Sequence, residues 1–166
     1  MGSPGPDEST LAGVPPFAVR GRGRHPGTRP DLLVVVALGG ALGALARWAL
    51  EAAWPAPPGG VPWATFVVNV SGCLLIGLLM AVLLELTAPH RWLRPFLGVG
   101  VLGGYTTFST YAVEAVRLLA LGRPALAAAY AVGTVVAALA AVVLGTLLGR
   151  AVMGVLARAG AGRSLG

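Results

Sequence analysis

Four long apolar runs, joined by short links rich in Pro, Gly or Arg, make up most of this chain and constrain its fold more than any other feature. The runs cover residues 32–50, 61–86, 95–121 and 125–148. A helix needs roughly 20 predominantly apolar residues to cross the hydrocarbon of a bilayer, and each run is about that long or longer. The composition agrees, since 56% of the 166 residues are hydrophobic and 11% are charged, with a mean hydropathy of +0.80. The sequence therefore predicts an all-α membrane protein with four transmembrane helices.

The rest of the chain forms a tail at each end. Residues 1–30 mix Gly, Pro and Arg with few large apolar side chains, so we expect a disordered N-terminal tail. Residues 31–150 form the predicted four-helix domain, and residues 151–166 form a short C-terminal tail. The stretch from Arg20 to Ala46 also has the charge and apolar pattern of a signal peptide. Three further apolar runs follow it, which favours a retained first helix.

Glycines within the runs indicate where helices approach each other and where one is interrupted. Gly39 and Gly43 in the first run, like Gly145 and Gly149 in the fourth, have the GxxxG spacing that lets helices pack closely in lipid. The third run carries two glycines and three residues of modest helix propensity at 103–107, which predicts a break halfway across the membrane. Carbonyl groups freed there cannot bond to water and need a partner such as a cation.

The charged residues exclude several classes of function. All twelve basic residues are Arg, and with six acids they give a net charge of +6 and a pI near 11.1. They are scattered at the ends of apolar runs and lack the continuous basic face that nucleic acid requires. Their positions are better explained if they flank membrane spans on the cytosolic side and contact anionic lipid. His25 and His90 lie in the tail and a link, and no catalytic arrangement of side chains is visible, so we do not expect an enzyme. The single Cys73 has no Cys or His at ligand spacing and is expected to be a small buried hydrophobe.

Polar residues inside the apolar runs are costly in lipid and therefore mark candidate functional positions. Asn69 lies in the middle of the second run, where it forms either an interhelical hydrogen bond or part of a site. Arg47 lies near the end of the first run, where it either extends to the headgroups or faces a vestibule and concentrates anions. Phe108 and Tyr111 are one helical turn apart among hydroxyl residues. Aromatic edges and hydroxyl groups attract a small anion, although ordinary packing also explains two aromatics at this spacing.

Three motifs carry a family resemblance. Gly100 to Glu114, GVLGGYTTFSTYAVE, resembles the third-helix signature GxxGGFTTFSTFxxE of the Fluc (CrcB) fluoride channels. Gly39 to Arg47, GGALGALAR, resembles the family's GGxxGAxxR, and Pro62 to Gly77, PWATFVVNVSGCLLIG, resembles PxGTLxVNxxGSFLLG. The motifs agree in order and spacing and together cover all but the tails.

The resemblance implies a fluoride channel subunit in the cell membrane, which passively exports cytoplasmic fluoride and so lowers its toxicity. Residues 31–150 would be the channel domain of an antiparallel, dual-topology dimer with two fluoride pores and a sodium ion at its centre. The backbone carbonyls of Gly103 and Thr106 from each subunit would hold the sodium, and Arg47 would lie in the vestibule. The expected fluoride pore residues are Asn69, Phe108, Thr110, Tyr111, Tyr130 and Thr134.

The chain departs from the family pattern at a few positions. Tyr111 stands where the family usually has Phe, which keeps the ring edge and adds a hydroxyl. In the second run, three residues differ from the family's Gly, Ser and Phe, namely Ala64, Cys73 and Leu74. The fourth run is poor in hydroxyl residues and has Ala137, Ala138 and Ala140 where a fuller polar track is expected, so one of two pores could be degenerate.

The distribution of Arg bears on topology. The side shared by the two termini and the second link has nine Arg and the opposite side three, which favours cytoplasmic termini. A fixed orientation would require an oppositely oriented homologue as the dimer partner, whereas a dual-topology chain pairs with itself. The N-terminal tail supplies four of the nine, and without it the bias is five to three.

Two other functions compete with the channel. The GxxxG pairs alone are compatible with a non-conducting helical partner subunit. A small four-helix proton-coupled exporter would need a carboxylate deep in a span, yet Glu51, Glu85 and Glu114 all fall near the ends of runs.

Overall fold

The computed structural model describes residues 30–85 and 91–163, and all regular structure within these ranges is helical. The predicted N-terminal tail lies outside the described residues except for Pro30, at which the first helix begins. In chain order the helices are α1 (Pro30–Ala53), α2 (Trp63–Glu85), α3 (Arg94–Leu102), α4 (Gly103–Tyr105), α5 (Ser109–Ala120) and α6 (Pro124–Arg163).

Three of these helices, α1, α2 and α6, are individually long and apolar enough to cross a membrane. They correspond to the first, second and fourth apolar runs, and together they make the chain a multi-pass membrane protein. The third run is divided among α3, which is wound as a π-helix, the single turn α4, and α5. Helix α6 does not end near Arg150, where the predicted domain ends, but continues to Arg163.

Glycine and proline set the helix boundaries. Gly122 ends α5 with φ +70, and the Arg123 N–H donates to the Leu118 carbonyl at 3.0 Å, so the last turn is closed by a glycine cap. Pro124 then occupies the first turn of α6, where its missing N–H is not needed. In the α1–α2 loop, Gly59 adopts φ +66 and its carbonyl accepts a bond of 2.6 Å from Arg123 Nη1.

The four predicted runs pack as a bundle in which α2 lies mainly against α6 and α1 lies mainly against α3. An ion pair of 3.5 Å joins Arg91, before α3, to Asp31 at the start of α1. Further along, Gly43 of α1 faces Val101 of α3, so these two helices run parallel. The Asn69 side chain of α2 bonds to Thr107, and Thr65 earlier in α2 bonds to Glu114 later in the third run, so α2 runs in the opposite direction.

The close approaches occur at glycines, as the GxxxG spacing predicts. A Cβ added at Gly43 would overlap the Val101 carbonyl oxygen, and one added at Gly145 would overlap the Leu74 carbonyl oxygen. Gly39 and Gly149 are similarly close, to Phe96 and Ala81 respectively. Small residues therefore allow backbone-to-backbone contact on both sides of the bundle.

Candidate functional site

The third apolar run is interrupted at residues 106–108. Helix α4 ends at Tyr105, Thr106 has the extended conformation with φ −75 and ψ 153, and α5 begins at Ser109. The sequence predicted the interruption over 103–107, but Gly103 and Gly104 are helical. Gly104 packs closely against α1, because a Cβ there would overlap the Gly40 carbonyl oxygen, whereas a Cβ at Gly103 would meet no atom within 4 Å.

Asn69 repairs part of the interruption. Its Nδ2 donates to the Thr107 carbonyl at 2.9 Å, and its Oδ1 accepts from the Thr107 N–H at 2.9 Å. One side-chain amide thus satisfies both backbone polar groups of a residue that has left the helical ladder, which lipid cannot do. One of the two roles predicted for Asn69 was a hydrogen bond between helices, and the structure has two bonds from Asn69 of α2 to Thr107.

Several carbonyl groups lose their helical partners at the same place, and those of Gly103 and Thr106 are among them. In an α-helix the Gly103 carbonyl would accept from the Thr107 N–H, but that N–H donates to Asn69. The Thr106 carbonyl would accept from the Thr110 N–H, but that N–H donates to Thr107 Oγ1 at 3.2 Å. Gly103 and Thr106 are the two residues whose carbonyls the resemblance assigned to sodium. Within 30–85 and 91–163 no three His, Cys, Asp or Glu side chains cluster.

Arg47 also reaches this region from α1. Its Nε donates to the Gly104 carbonyl at 3.3 Å, and its Nη1 lies 3.7 Å from Glu51 Oε1 one turn further along α1. Both side chains are about one quarter exposed, at 25% each. Arg47 therefore holds α1 to the turn before the interruption, and its charge is partly compensated by Glu51.

A cavity of about 230 Å³ lies beside the interruption. It is lined by Asn69, Cys73, Thr106, Thr107, Phe108, Tyr111, Thr134, Val135 and Ala138. The structure thus brings together four of the six expected pore residues, and Thr106 with them. The other two, Thr110 and Tyr130, are not among the lining residues, and neither are Arg47 and Gly103. Cys73 is half-buried at this cavity wall instead of lying in a closed core.

Three aromatic rings form a row at the cavity. The Phe108 and Tyr111 centroids are 5.7 Å apart at 48°, and those of Tyr111 and Tyr130 are 5.5 Å apart at 45°. Both centroid distances lie in the range of about 4.5–7 Å that is usual for interacting aromatic rings. Phe108 is 78% exposed in the single chain, whereas Tyr130 is 4% exposed. The Tyr111 hydroxyl donates to the Ala131 carbonyl of α6 at 3.0 Å.

Behind Tyr130 lies a polar network that sequence reasoning missed. The Tyr130 hydroxyl donates to Glu114 Oε2 at 2.7 Å, and Thr65 Oγ1 donates to Glu114 Oε1 at 2.9 Å. Tyr130 and Thr65 are buried, and the network joins α6, α5 and α2. The position of Glu114 at the end of the third motif was the available signal, but its nearness to the end of the run argued against a role.

Comparison with known proteins places this chain in a family. A family model described as CrcB-like protein, Camphor Resistance (CrcB), matches residues 34–146. The chain belongs to the CrcB family. The three sequence motifs that resemble this family all start and end within the matched residues, so the predicted family is confirmed.

Individual relatives of this chain support the same family assignment. The chain is 57% identical over 123 residues to the fluoride-specific ion channel FluC 2 of Nocardia farcinica, covering 74% of this chain and 88% of that protein. It is 51% identical over 126 residues to FluC 1 of Streptomyces coelicolor, covering 76% and 82%. It is 48% identical over 120 residues to FluC 1 of Mycobacterium tuberculosis, covering 72% and 91%. All three names describe an ion channel and not an enzyme.

Proposed function

We propose that this chain is a subunit of a fluoride-specific ion channel that passively exports cytoplasmic fluoride. The observation that carries the proposal is the cavity at the interruption, lined by Phe108, Tyr111 and Asn69, in a chain 57% identical to a protein named as such a channel. The benefit would be detoxification, because HF crosses a membrane, ionises in a more alkaline cytoplasm and needs an exit.

The cavity has groups suited to an anion that gives up its water. Ring edges are electropositive, and the Asn69 amide has a second N–H in addition to the one donated to Thr107. We assign the fluoride pore to Asn69, Phe108, Tyr111 and Thr134, with Thr110 and Tyr130 continuing the polar track. The Tyr130 hydroxyl already donates to Glu114, so fluoride would have to compete for that proton. Arg47, in the vestibule, would raise the local anion concentration. The negative charge of its neighbour Glu51 would reduce this effect.

A sodium ion would suit carbonyl oxygens that lack helical partners. Gly103 and Thr106 fit a hard cation, because carbonyl oxygens are its ordinary ligands and their usual N–H donors are taken by Asn69 and Thr107. When bound, the ion would supply positive charge and fix the backbone of the interruption. Two subunits would together offer four such oxygens.

The assembly we propose is an antiparallel dimer in the plasma membrane, formed with itself or with an oppositely oriented homologue. Helices α3, α4 and α5 together would form the third membrane span, broken about halfway at Thr106. Phe108 is 78% exposed in the single chain, so its ring is free to contact a partner subunit. The Arg distribution favours cytoplasmic termini.

Fluoride efflux from liposomes tests the proposal. Purified protein is reconstituted in vesicles loaded with potassium fluoride, and external fluoride is followed with an electrode. We expect rapid efflux once valinomycin is added to carry the compensating potassium, with no requirement for a pH gradient. Efflux that depended on a pH gradient would indicate the proton-coupled exporter, and its absence under both conditions would indicate a non-conducting partner. The relatives' names favour neither of these alternatives.

A further inference from the structure

A second cavity, which we name the loop cavity, lies where the α1–α2 loop meets the end of α5. Its volume is about 180 Å³, and no residue lines both this cavity and the one at the interruption. One wall is formed by loop residues 56–60 and 62, and the other by four residues of α5, namely Glu114, Arg117, Leu118 and Leu121. None of the assigned pore residues lines it.

The loop that forms this cavity is held in place. The Arg123 guanidinium donates to the Gly59 carbonyl at 2.6 Å, and the Gly60 N–H donates to the Pro57 carbonyl at 2.9 Å. Proline residues at 55, 57 and 58 fix the backbone φ angle at three positions of the same segment. The loop cavity is therefore a preformed space.

One pair of side chains separates the loop cavity from the cavity at the interruption. Glu114 lines the loop cavity and accepts a hydrogen bond of 2.7 Å from Tyr130. The Tyr130 ring centroid lies 5.5 Å from that of Tyr111, which lines the cavity at the interruption. An anion that moves from the interruption past Tyr111 and Tyr130 therefore reaches the loop cavity next.

The loop cavity also has the depth of an opening to water. Helix α5 begins at Ser109, beside the interruption, and Arg117 follows eight residues later. Eight residues of helix span about 12 Å. From the middle of a bilayer the hydrocarbon extends about 15 Å to either side. With the interruption near the middle, the exposed Arg117 side chain reaches the membrane surface.

The charges around the loop cavity leave one cation available. Arg47 is paired with Glu51, and Arg123 is bonded to the loop. Within residues 30–85 and 91–163, Arg117 is neither in an ion pair nor a hydrogen-bond donor through its guanidinium. Glu114 lies one turn before it, and both carboxylate oxygens of Glu114 already accept hydrogen bonds. The guanidinium of Arg117 is thus the cationic group that can meet an incoming anion.

We propose that the loop cavity is a mouth of the pore and that Arg117 draws the permeating anion to it. The guanidinium raises the local fluoride concentration at the mouth without holding the ion tightly, because its charge stands at the water boundary. Arg117 thereby sets how often an anion enters, whereas the cavity at the interruption selects which anion passes. This role rests on the proposed channel function.

The test measures single-channel fluoride current in planar bilayers at two ionic strengths, set with an impermeant salt such as sodium isethionate. Arg117→Gln should lower the current about threefold at low ionic strength, which is the change in anion concentration caused by one unit charge about 6 Å away in water. Arg117→Glu reverses the charge and should lower the current about tenfold. Both differences should fall below about 1.5-fold when the Debye length shrinks from about 30 Å at 0.01 M salt to about 3 Å at 1 M.

Arg158→Gln is the matched control, because it removes the same charge from an exposed position on α6 and does not line the loop cavity. A wild-type current from Arg117→Gln at low ionic strength would overturn the proposal. So would an equal loss at both ionic strengths, since that pattern indicates a structural defect and not a lost charge. A wild-type protein that carries no fluoride current would instead refute the channel function itself.

Arg117→Cys allows the charge to be changed within the same assembled channels. A cationic methanethiosulfonate reagent should raise the fluoride current of this variant, and an anionic one should lower it further. The wild type treated with both reagents controls for reaction at Cys73, which lines the other cavity. Equal effects of the two reagents on Arg117→Cys would show that the size of the side chain matters and its charge does not, and the proposal would fail.

Discussion

The contact between α1 and α3 gives a quantitative prediction about packing. Gly43→Ala should destabilise the protein, because the added Cβ would overlap the Val101 carbonyl oxygen and lie 2.8 Å from the Tyr105 nitrogen. These are backbone atoms that cannot rotate away, so the two helices must separate. Gly40→Ala in the same helix is the matched control, since no heavy atom lies within 4 Å of a Cβ there.

The expected magnitude follows from the difference between the two variants. Ala is a better helix former than Gly by about 0.8–1.0 kcal/mol, and this gain is common to both positions and cancels. What is left is the cost of overpacking, about 1–3 kcal/mol, with the upper end expected for a backbone overlap. Gly133→Ala in α6, where a Cβ also meets no atom, provides a second control on another helix.

Equilibrium unfolding in mixed detergent and sodium dodecyl sulfate micelles measures this difference through tryptophan fluorescence. We expect Gly40→Ala and Gly133→Ala to unfold at or above the wild-type midpoint and Gly43→Ala well below it. Equal midpoints for Gly43→Ala and Gly40→Ala would show that α1 and α3 are not in backbone contact. The assigned packing of the interruption against α1 would then be wrong.

Four further predictions concern the site and the assembly. Phe108→Ile should abolish fluoride efflux while the dimer still forms, and efflux at the wild-type rate would remove Phe108 from the pore. Asn69→Ala should lower the free energy of unfolding by about 1–3 kcal/mol for each of the two Thr107 backbone groups left unpaired, measured by the same unfolding assay. Exchange of sodium for a large organic cation throughout preparation should reduce fluoride efflux, and unchanged activity would argue against a site at Gly103 and Thr106. Reporter fusions at the C-terminus should be active on the cytoplasmic side alone if the chain has a fixed orientation, and comparable signals on both sides would instead indicate dual topology.

The sequence predicted the helices well where one physical signal dominates. Helices α1, α2 and α6 follow from apolar runs of membrane-spanning length, and α6 begins at Pro124, one residue before the predicted run. The extension of α6 past Arg150 was not predicted, because the predicted boundary followed the apolar run, which ends at residue 148, whereas the helix continues beyond it. The interruption lies at 106–108 and not at the predicted 103–107. Glycine can weaken a helix or allow close helix packing, and Gly104 packs closely against Gly40.

The candidate site was predicted only in part, for a related reason. Asn69, Phe108, Tyr111 and Thr134 meet at one cavity; the first three were selected by motif or polarity, and Thr134 by the family resemblance alone. The hydrogen-bond partner of each side chain depends on how the helices are rotated about their axes. The spacing of residues along one helix does not determine that rotation. The Asn69 bonds to Thr107 are one case. The Glu114 bonds to Tyr130 and Thr65, on two other helices, are another.

The central claim, a passive pore selective for fluoride, is tested most directly by the reversal potential of the current through a planar bilayer containing the purified protein. With a tenfold gradient of fluoride and equal chloride on both sides, a pore that conducts fluoride alone predicts a reversal potential displaced by about 59 mV in the direction set by the fluoride gradient. A current that reverses at zero under this gradient would contradict the account, as would one that follows an imposed chloride gradient.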